Sequence, residues 1–424
     1  MIPITKINKM GAHEFQNMLW TVISSGVHGV YALVLIFVTT RLVGLAMAGV
    51  LAYSLALTEL HFVIGEFGVR GYQSTDIKQE FKLSHYFTFR ISTVVIVSLI
   101  FIVLVFLGNY DYSNILILLI CYVIVVLQMF ADVFMGDLQQ KGYMNIAGKM
   151  KTVSYVGAFV LFTTTTLVTK TLLLPLIFSG LAVLIIYASM LFFYRNFFIN
   201  VQICFELGIF KKIFISVLPL VILAFIGSYL VNAQKYYLAR YASDEYVAIF
   251  AILMLPSSVF LLFCGAMFAG SGLTKGAKIL ATGQLDVFNA RIIRQLVAVF
   301  ALAIPFILGG YFFGIPILSI LYGLDLSGYS MQFLLLMVGS VFHVAVAVLG
   351  SALVIMRLQR LRLICTAASG LFTGLLMWLL VRNFGIYGAA YSLLIIYVPL
   401  SIFLFIAFWL SVRRLMFNER RVYL

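Results

Sequence analysis

The residues able to do chemistry are few, and most are isolated within long apolar runs. Glu59 and Glu66 stand seven positions apart in one such run. Seven residues make nearly two helical turns, so on a helix both point the same way. An ionised side chain at membrane depth is costly and usually faces a bundle interior or a wet cavity. The pair therefore reads as a proton or cation site, or as the partner of an internal arginine. The alternative places Glu66 at the membrane interface, paired with Arg70 four residues on. Gln128, Asp132, Met135 and Gln139 form a second stripe at helical spacing. Asp132 falls within about one turn of the expected inner interface, so a solvated position competes with a cavity position. Glu59, Glu66 and Asp132 are the candidate ion-coupling residues.

Basic and imidazole groups form the complementary set. Ser24, His28 and Tyr31 share one helix face, and His343 is a second histidine inside an apolar run. Each histidine is either a cavity group or a hydrogen-bonded packing residue. Ser228, Asn232 and Lys235 occupy one face of a later run, with Tyr229 and Tyr236 on another. Lys235 either snorkels outward or neutralises an anionic headgroup. Arg41, Arg70, Arg90 and Arg240 fall near the ends of apolar runs. Each is interfacial or part of a cavity. His28, Arg41, Arg70, Arg90, Lys235, Arg240 and His343 are the candidate substrate-binding residues. Arg41, Lys235 and Arg240 are expected to lend positive potential to the outer part of a cavity, with Arg70 and Arg90 at its inner mouth.

Catalytic patterns are missing. The chain holds no G-x-x-x-x-G-K-[ST] run, no G-x-G-x-x-G opening a helix, no H-E-x-x-H and no G-x-S-x-G. The sequence predicts neither ATP hydrolysis nor another enzymatic activity, and no cofactor. Cys121, Cys204, Cys264 and Cys365 are isolated, without metal-ligand spacing, and read as small core or lipid-facing residues. No metal is expected.

The elements that position these groups follow from composition. The chain has 424 residues, 64% hydrophobic and 10% charged, with a mean hydropathy of +1.13. So few charges cannot cover a water-facing surface, which excludes a soluble enzyme, a secreted domain and a disordered scaffold. Crossing a bilayer takes about 20 apolar residues per helix, so the length allows roughly a dozen crossings. The runs lie near 18–40, 46–67, 91–108, 114–135, 152–169 and 172–194. A second set lies near 213–238, 245–268, 295–313, 329–353, 363–381 and 388–411. Backbone groups in lipid must be satisfied internally, so these are helices. The first run is too long for the apolar part of a cleavable signal peptide and is expected to remain as a membrane helix.

The net charge of +14 is topology rather than a nucleic-acid signal. With the N-terminus in the cytoplasm and strict alternation, all but five of the 28 Lys and Arg residues face inward. The five are Arg41, Lys170, Lys235, Arg240 and Arg382. This is the positive-inside pattern, and it places both termini in the cytoplasm. Two inner stretches, Phe205 to Ile215 and Leu285 to Leu296, are either interfacial amphipathic helices or extensions of the adjoining spans. Pro219, Pro256, Pro305 and Pro399 fall inside expected helices and predict bends. A weak duplication about the midpoint divides the chain into an N-terminal six-helix lobe, 1–200, and a C-terminal one, 201–424. Parallel repeats of this kind are a transporter architecture, with substrate between the halves.

Several short strings resemble one family. Asn17 and Trp20 open the first helix. Arg41-Leu42-Val43-Gly44, then Gly49 and Tyr53, follow it. Phe67-Gly68-Val69-Arg70 is followed by Gln73-Ser74-Thr75-Asp76-Ile77-Lys78, then Tyr86 and Arg90. Pro219, Leu321-Tyr322-Gly323 and Gly385-Ile386-Tyr387-Gly388-Ala389-Ala390 complete the series. In order and spacing they resemble the O-antigen or polysaccharide flippases (Wzx-type) of the MOP exporter superfamily. The resemblance implies an all-α polytopic membrane protein, MATE-like and V-shaped, with a cationic cavity between its six-helix lobes. It implies translocation of an undecaprenyl-diphosphate-linked oligosaccharide, an O-antigen or capsule repeat unit, across a bacterial inner membrane. A polysaccharide polymerase and a chain-length regulator are the protein partners it implies, beside membrane lipid. The competing function is a cation-coupled small-molecule (drug) antiporter of the MATE type. Some drug-exporting relatives couple to cations through an acid in the first helix; here His28 is the ionisable residue expected inside that helix. A membrane-embedded polymerase or glycosyltransferase is disfavoured, because no outer loop is long enough for a catalytic domain.

Overall fold

A computed structural model describes residues 4–76, 79–108, 110–198, 201–269, 276–277, 279–280 and 282–422. Ile77 and Lys78 of the inner-loop string, and the expected inward-facing Lys275 and Lys278, lie outside the described residues. The described backbone is helical almost throughout. Among the described residues, ten helices are long and apolar enough to cross a membrane, and a further pair, bent by 41°, passes the same test together. The last element, Gln359–Val422, contains Gly385 at φ 53°, ψ −128°, a non-helical break. It therefore holds the two expected segments 363–381 and 388–411 end to end. Counted this way, the crossings match the expected dozen.

The chain divides into two compact units, Met1–Ser228 and Tyr229–Leu424. Unit 1 contains α1 (Ile4–Leu42), α2 (Leu45–Glu66), the short α3 (Val69–Thr75), α4 (Leu83–Leu107), α5 (Tyr112–Gln140), α6 (Met144–Thr169) and α7 (Leu173–Phe193). α8 (Leu207–Tyr241) carries the chain onward. The sequence placed the boundary at 200/201, but the division falls inside α8. Ile213 and Val217 of its first half are buried in one cluster with Val69, Tyr86, Phe89 and Val133 of unit 1. Apolar side chains, not chain position, decide which unit a turn of helix joins.

Two local features set the helix arrangement in unit 1. A Cβ on Gly148 of α6 would sit 2.7 Å from the Trp20 carbonyl oxygen of α1. Only glycine lets these backbones meet. Asn17, a turn before Trp20, donates its amide to Gly142 O at 2.9 Å and accepts from Asn145 N–H at 2.8 Å. It thus ties α1 to the α5–α6 turn. The other feature is the α2–α3 turn, where Phe67 (φ 52°) and Gly68 (φ 66°) both take left-handed backbone. That turn swings Arg70 over α5.

Unit 2 continues with α9 (Asp244–Leu253), α10 (Leu255–Ala269), α11 (Leu285–Gly309), a π-helical segment (Gly310–Gly314), α12 (Ile315–Tyr322), α13 (Ser330–Ile355) and α14 (Gln359–Val422). α13 packs against α10, α11 and α14 and is the most buried span. Met254 separates α9 from α10, and Pro256 is the second residue of α10. The expected bend at Pro256 is therefore a break between helices, since proline has no N–H for the preceding turn. Both basic stretches weighed as interfacial helices lead straight into spans. Residues 201–206 are non-helical and α8 begins at Leu207, while Leu285 opens α11.

Candidate functional site

Unit 1 encloses a cavity of about 400 Å³ among α1, α2, α5, α6 and α7. Each helix contributes by the periodicity read from the sequence. Glu59 and Glu66, two turns apart on α2, both line it. So do Gln128, Asp132 and Met135 of α5, and His28 and Tyr31 of α1. Helical spacing thus turned three separate stripes toward one space.

An ion-pair network forms its charged end. Arg70 Nη1 donates to Asp132 Oδ1 at 2.7 Å, and Arg70 Nε donates to Gln139 Oε1 at 3.3 Å. Arg90 Nη2 donates to Asp132 Oδ2 at 3.3 Å, and Arg90 Nη1 to Gly65 O at 2.6 Å. Thr93 Oγ1 shares that carbonyl at 2.8 Å. The two arginines differ in access. The Arg70 side chain is 23% exposed, whereas that of Arg90 is 0% exposed. Arg90 therefore does not guard a mouth or line a cavity; it is locked between α2 and α5 with no surface to offer a ligand. Glu66 and Asp132 both line the cavity.

Sequence reasoning missed Lys151. It was counted among inward-facing loop cations because the apolar run starts after it, yet α6 begins at Met144. Lys151 lines the cavity, its Nζ 5.8 Å from the Tyr155 ring centroid. Tyr155 and Tyr187 complete the wall. A signal was present: Lys151 and Tyr155 are four apart, one helical turn.

The remaining candidates lie elsewhere. Arg41 is an exposed residue in the last turn of α1. In unit 2, Lys235 donates to Asn232 Oδ1 at 3.0 Å, on the helix face they were expected to share. Arg240 is exposed in the last turn of α8. His343 stacks on Tyr397 with centroids 4.2 Å apart.

One cluster outside the cavity resembles a metal site. His85, Cys204 and Glu206 bring their ligand atoms within 4.8 Å of one another. The donor set argues otherwise. Lys82 N–H donates to His85 Nδ1 at 3.2 Å, so in the neutral ring Nε2 keeps the proton. That proton faces Glu206 at 3.7 Å, and a metal there would have to displace it. Cys204 lies in the non-helical 201–206 segment, half-buried rather than in the core, its N–H donated to Thr88 Oγ1 at 2.9 Å. Its thiol pKa is raised, chiefly by the hydrogen bond to Glu206.

No protein-family model matches the chain, and no curated protein matches it in sequence. Solved structures do. An inward-facing multidrug resistance MATE family transporter of the MOP superfamily superposes with a TM-score of 0.75, at 13% identity over 92% of this chain and 95% of that one. The fold is that of MOP superfamily transporters. The lipid II flippase MurJ, in an inward closed conformation, gives a TM-score of 0.71 at 16% identity, covering 92% of this chain and 87% of its own. The MATE multidrug transporter DinF-BH gives 0.64 at 16% identity over 94% and 95%. These MOP-fold neighbours are transporters and flippases, not enzymes. At such identities the likeness is one of fold, and it is shared by drug exporters and a lipid flippase alike.

Proposed function

We propose that the protein is a flippase. It moves an undecaprenyl-diphosphate-linked oligosaccharide, an O-antigen or capsule repeat unit, from the inner to the outer leaflet of a bacterial inner membrane by alternating access. The observation that carries this reading is the cavity of unit 1, where accessible Arg70 and Lys151 stand inside an apolar bundle. A diphosphate cannot enter hydrocarbon unaided, and charge-assisted hydrogen bonds from such groups replace its hydration. Asp132 accepts from both Arg70 and Arg90, so a phosphate that takes Arg70 leaves Asp132 paired with Arg90. Tyr31, Tyr155 and Tyr187 offer ring faces to sugars. A polysaccharide polymerase and a chain-length regulator are the partners this reading calls for, with both chain termini cytoplasmic.

The cation-coupled drug antiporter is the second reading. Glu59, Glu66 and Asp132 on one cavity favour it. Against it, α1 gives the cavity no carboxylate: Glu14, its one acid, is exposed near the N-terminal end and lines no part of that cavity. Deletion in a strain without redundant flippases separates the two. The flippase reading expects loss of surface polysaccharide, with the glycolipid trapped in the inner leaflet and drug sensitivity unchanged. Intact surface polysaccharide would overturn it.

A further inference from the structure

Among the described side chains, every ion pair lies in unit 1. Unit 2 has cations of its own, and they gather at one end. The Phe288 ring of α11 lies 6.3 Å from the Phe408 ring of α14. A Cβ on Gly276 would sit 2.8 Å from Ile355 of α13 and 3.6 Å from Phe288. The ends of three helices therefore meet here. Arg291 follows Phe288 by about one turn, Arg357 follows Ile355 directly after Met356, and Arg413 lies just over a turn beyond Phe408. Arg360 and Arg362 open α14 on the far side of the α13–α14 turn. None of these five arginines is ion-paired among the described side chains, and Asp286 in the first turn of α11 pairs with none of them. Arg362 is half-buried, its Nε 3.0 Å from where a Cβ on Gly350 would stand, so glycine lets the guanidinium lie against α13. Arg413 stacks on Trp409 at 3.6 Å from the ring centroid. Stacking occupies the guanidinium face and leaves its in-plane N–H donors free.

This end is the one expected to face the cytoplasm, where the positive-inside rule accepts lysine and arginine alike. Yet after Lys278 every cation of the chain is arginine. The planar guanidinium fork matches phosphate oxygens two at a time, which an ammonium does not. Beyond Leu415 the sequence adds Glu419 beside Arg420 and Arg421, which raises the positive charge further. The surface running on from the arginines is apolar: Ile364 is 65% exposed and Leu410 55%. An acidic soluble protein would answer the charge and leave that face unmatched. A phospholipid carries its phosphate above its acyl chains and answers both. We infer that this end of unit 2 binds the headgroup of an anionic phospholipid from the leaflet it faces. Arg357, Arg360 and Arg362 take the phosphate, Arg291 and Arg413 add positive potential, and the acyl chains lie along α14. Such a site is independent of the transported substrate.

The test is native mass spectrometry of the full-length protein in detergent, titrated with phosphatidylglycerol or with phosphatidylcholine of the same acyl chains. An arginine at an anionic membrane surface is worth about a fivefold change in binding. Arg357→Gln with Arg360→Gln and Arg362→Gln is therefore expected to weaken phosphatidylglycerol binding at least about tenfold, with phosphatidylcholine binding unchanged. The control removes three exposed cations of unit 1, Lys82→Gln with Arg195→Gln and Lys211→Gln, and should stay within about twofold of the parent. If the arginine triple does not fold, exposed Arg360→Gln alone replaces it, with an expected loss of at least about threefold. A parent that binds both lipids equally, an arginine variant that binds as the parent does, or a control that loses as much would overturn the site. Displacement of the lipid by an equal concentration of inorganic phosphate or of an acidic peptide would overturn the lipid assignment.

Discussion

Removing Asp132 strikes the centre of the unit 1 network. Its carboxylate accepts from Arg70 at 2.7 Å and from Arg90 at 3.3 Å, and its side chain is 7% exposed. In Asp132→Ala the Arg90 guanidinium remains wholly buried and loses its carboxylate. Breaking one partner of a buried pair costs about 3–5 kcal/mol, because the other charge is left uncompensated. Arg70 adds little, since it is partly solvated and its screened pair contributes about 0–1 kcal/mol. The expected loss is therefore about 3–5 kcal/mol for Asp132→Ala and at most about 1 kcal/mol for Arg70→Gln. Replacing both buried ions, Arg90→Met with Asp132→Leu, should recover most of the loss, because an apolar pair of similar volume has no desolvation cost. Reversible unfolding in mixed detergent, followed by tryptophan fluorescence, measures these variants together with Arg90→Met and Asp132→Leu, the two singles that complete the double-mutant cycle. The reasoning fails if Asp132→Ala costs less than about 1 kcal/mol, or if the double variant shows the sum of its single losses.

Three further outcomes are expected. Gly148→Ala drives a Cβ into the Trp20 carbonyl, and main chain cannot swing aside, so stability should fall by about 1–3 kcal/mol in the same unfolding assay; a neutral Gly148→Ala would mean that α1 and α6 are further apart. Gly385→Ala should likewise destabilise by at least about 1 kcal/mol, as its positive φ at the break in α14 is strained for any side chain. The raised pKa of Cys204 keeps less thiolate present near neutral pH, so alkylation should be slower than for an ordinary exposed thiol and should accelerate as pH rises. Glu206→Gln removes the carboxylate that causes the shift and should speed the reaction. Done with a membrane-impermeant maleimide, the same experiment reports the side on which residues 201–206 lie, and reaction confined to the outer side would refute the cytoplasmic orientation.

The fold class was legible before any coordinates. Apolar runs of membrane-spanning length leave the backbone no partner but its own helix, and the crossings appear where those runs are. Periodicity also carried much of the site: Glu59 with Glu66, Gln128 with Asp132, and His28 with Tyr31 each share a face because helical geometry is local. What periodicity cannot give is which faces meet. Arg70 and Arg90 looked equivalent in sequence, both basic and near the ends of apolar runs. Tertiary packing made one an accessible cavity group and the other a buried brace, since their access depends on where α2 and α5 approach. Lys151 was hidden for a related reason. Hydropathy marks where apolar residues begin, whereas a helix begins where its backbone bonds begin, and α6 starts two turns earlier. The unit boundary followed the same rule: Ile213 and Val217 joined unit 1 because buried surface, and not symmetry in the sequence, decides what packs with what.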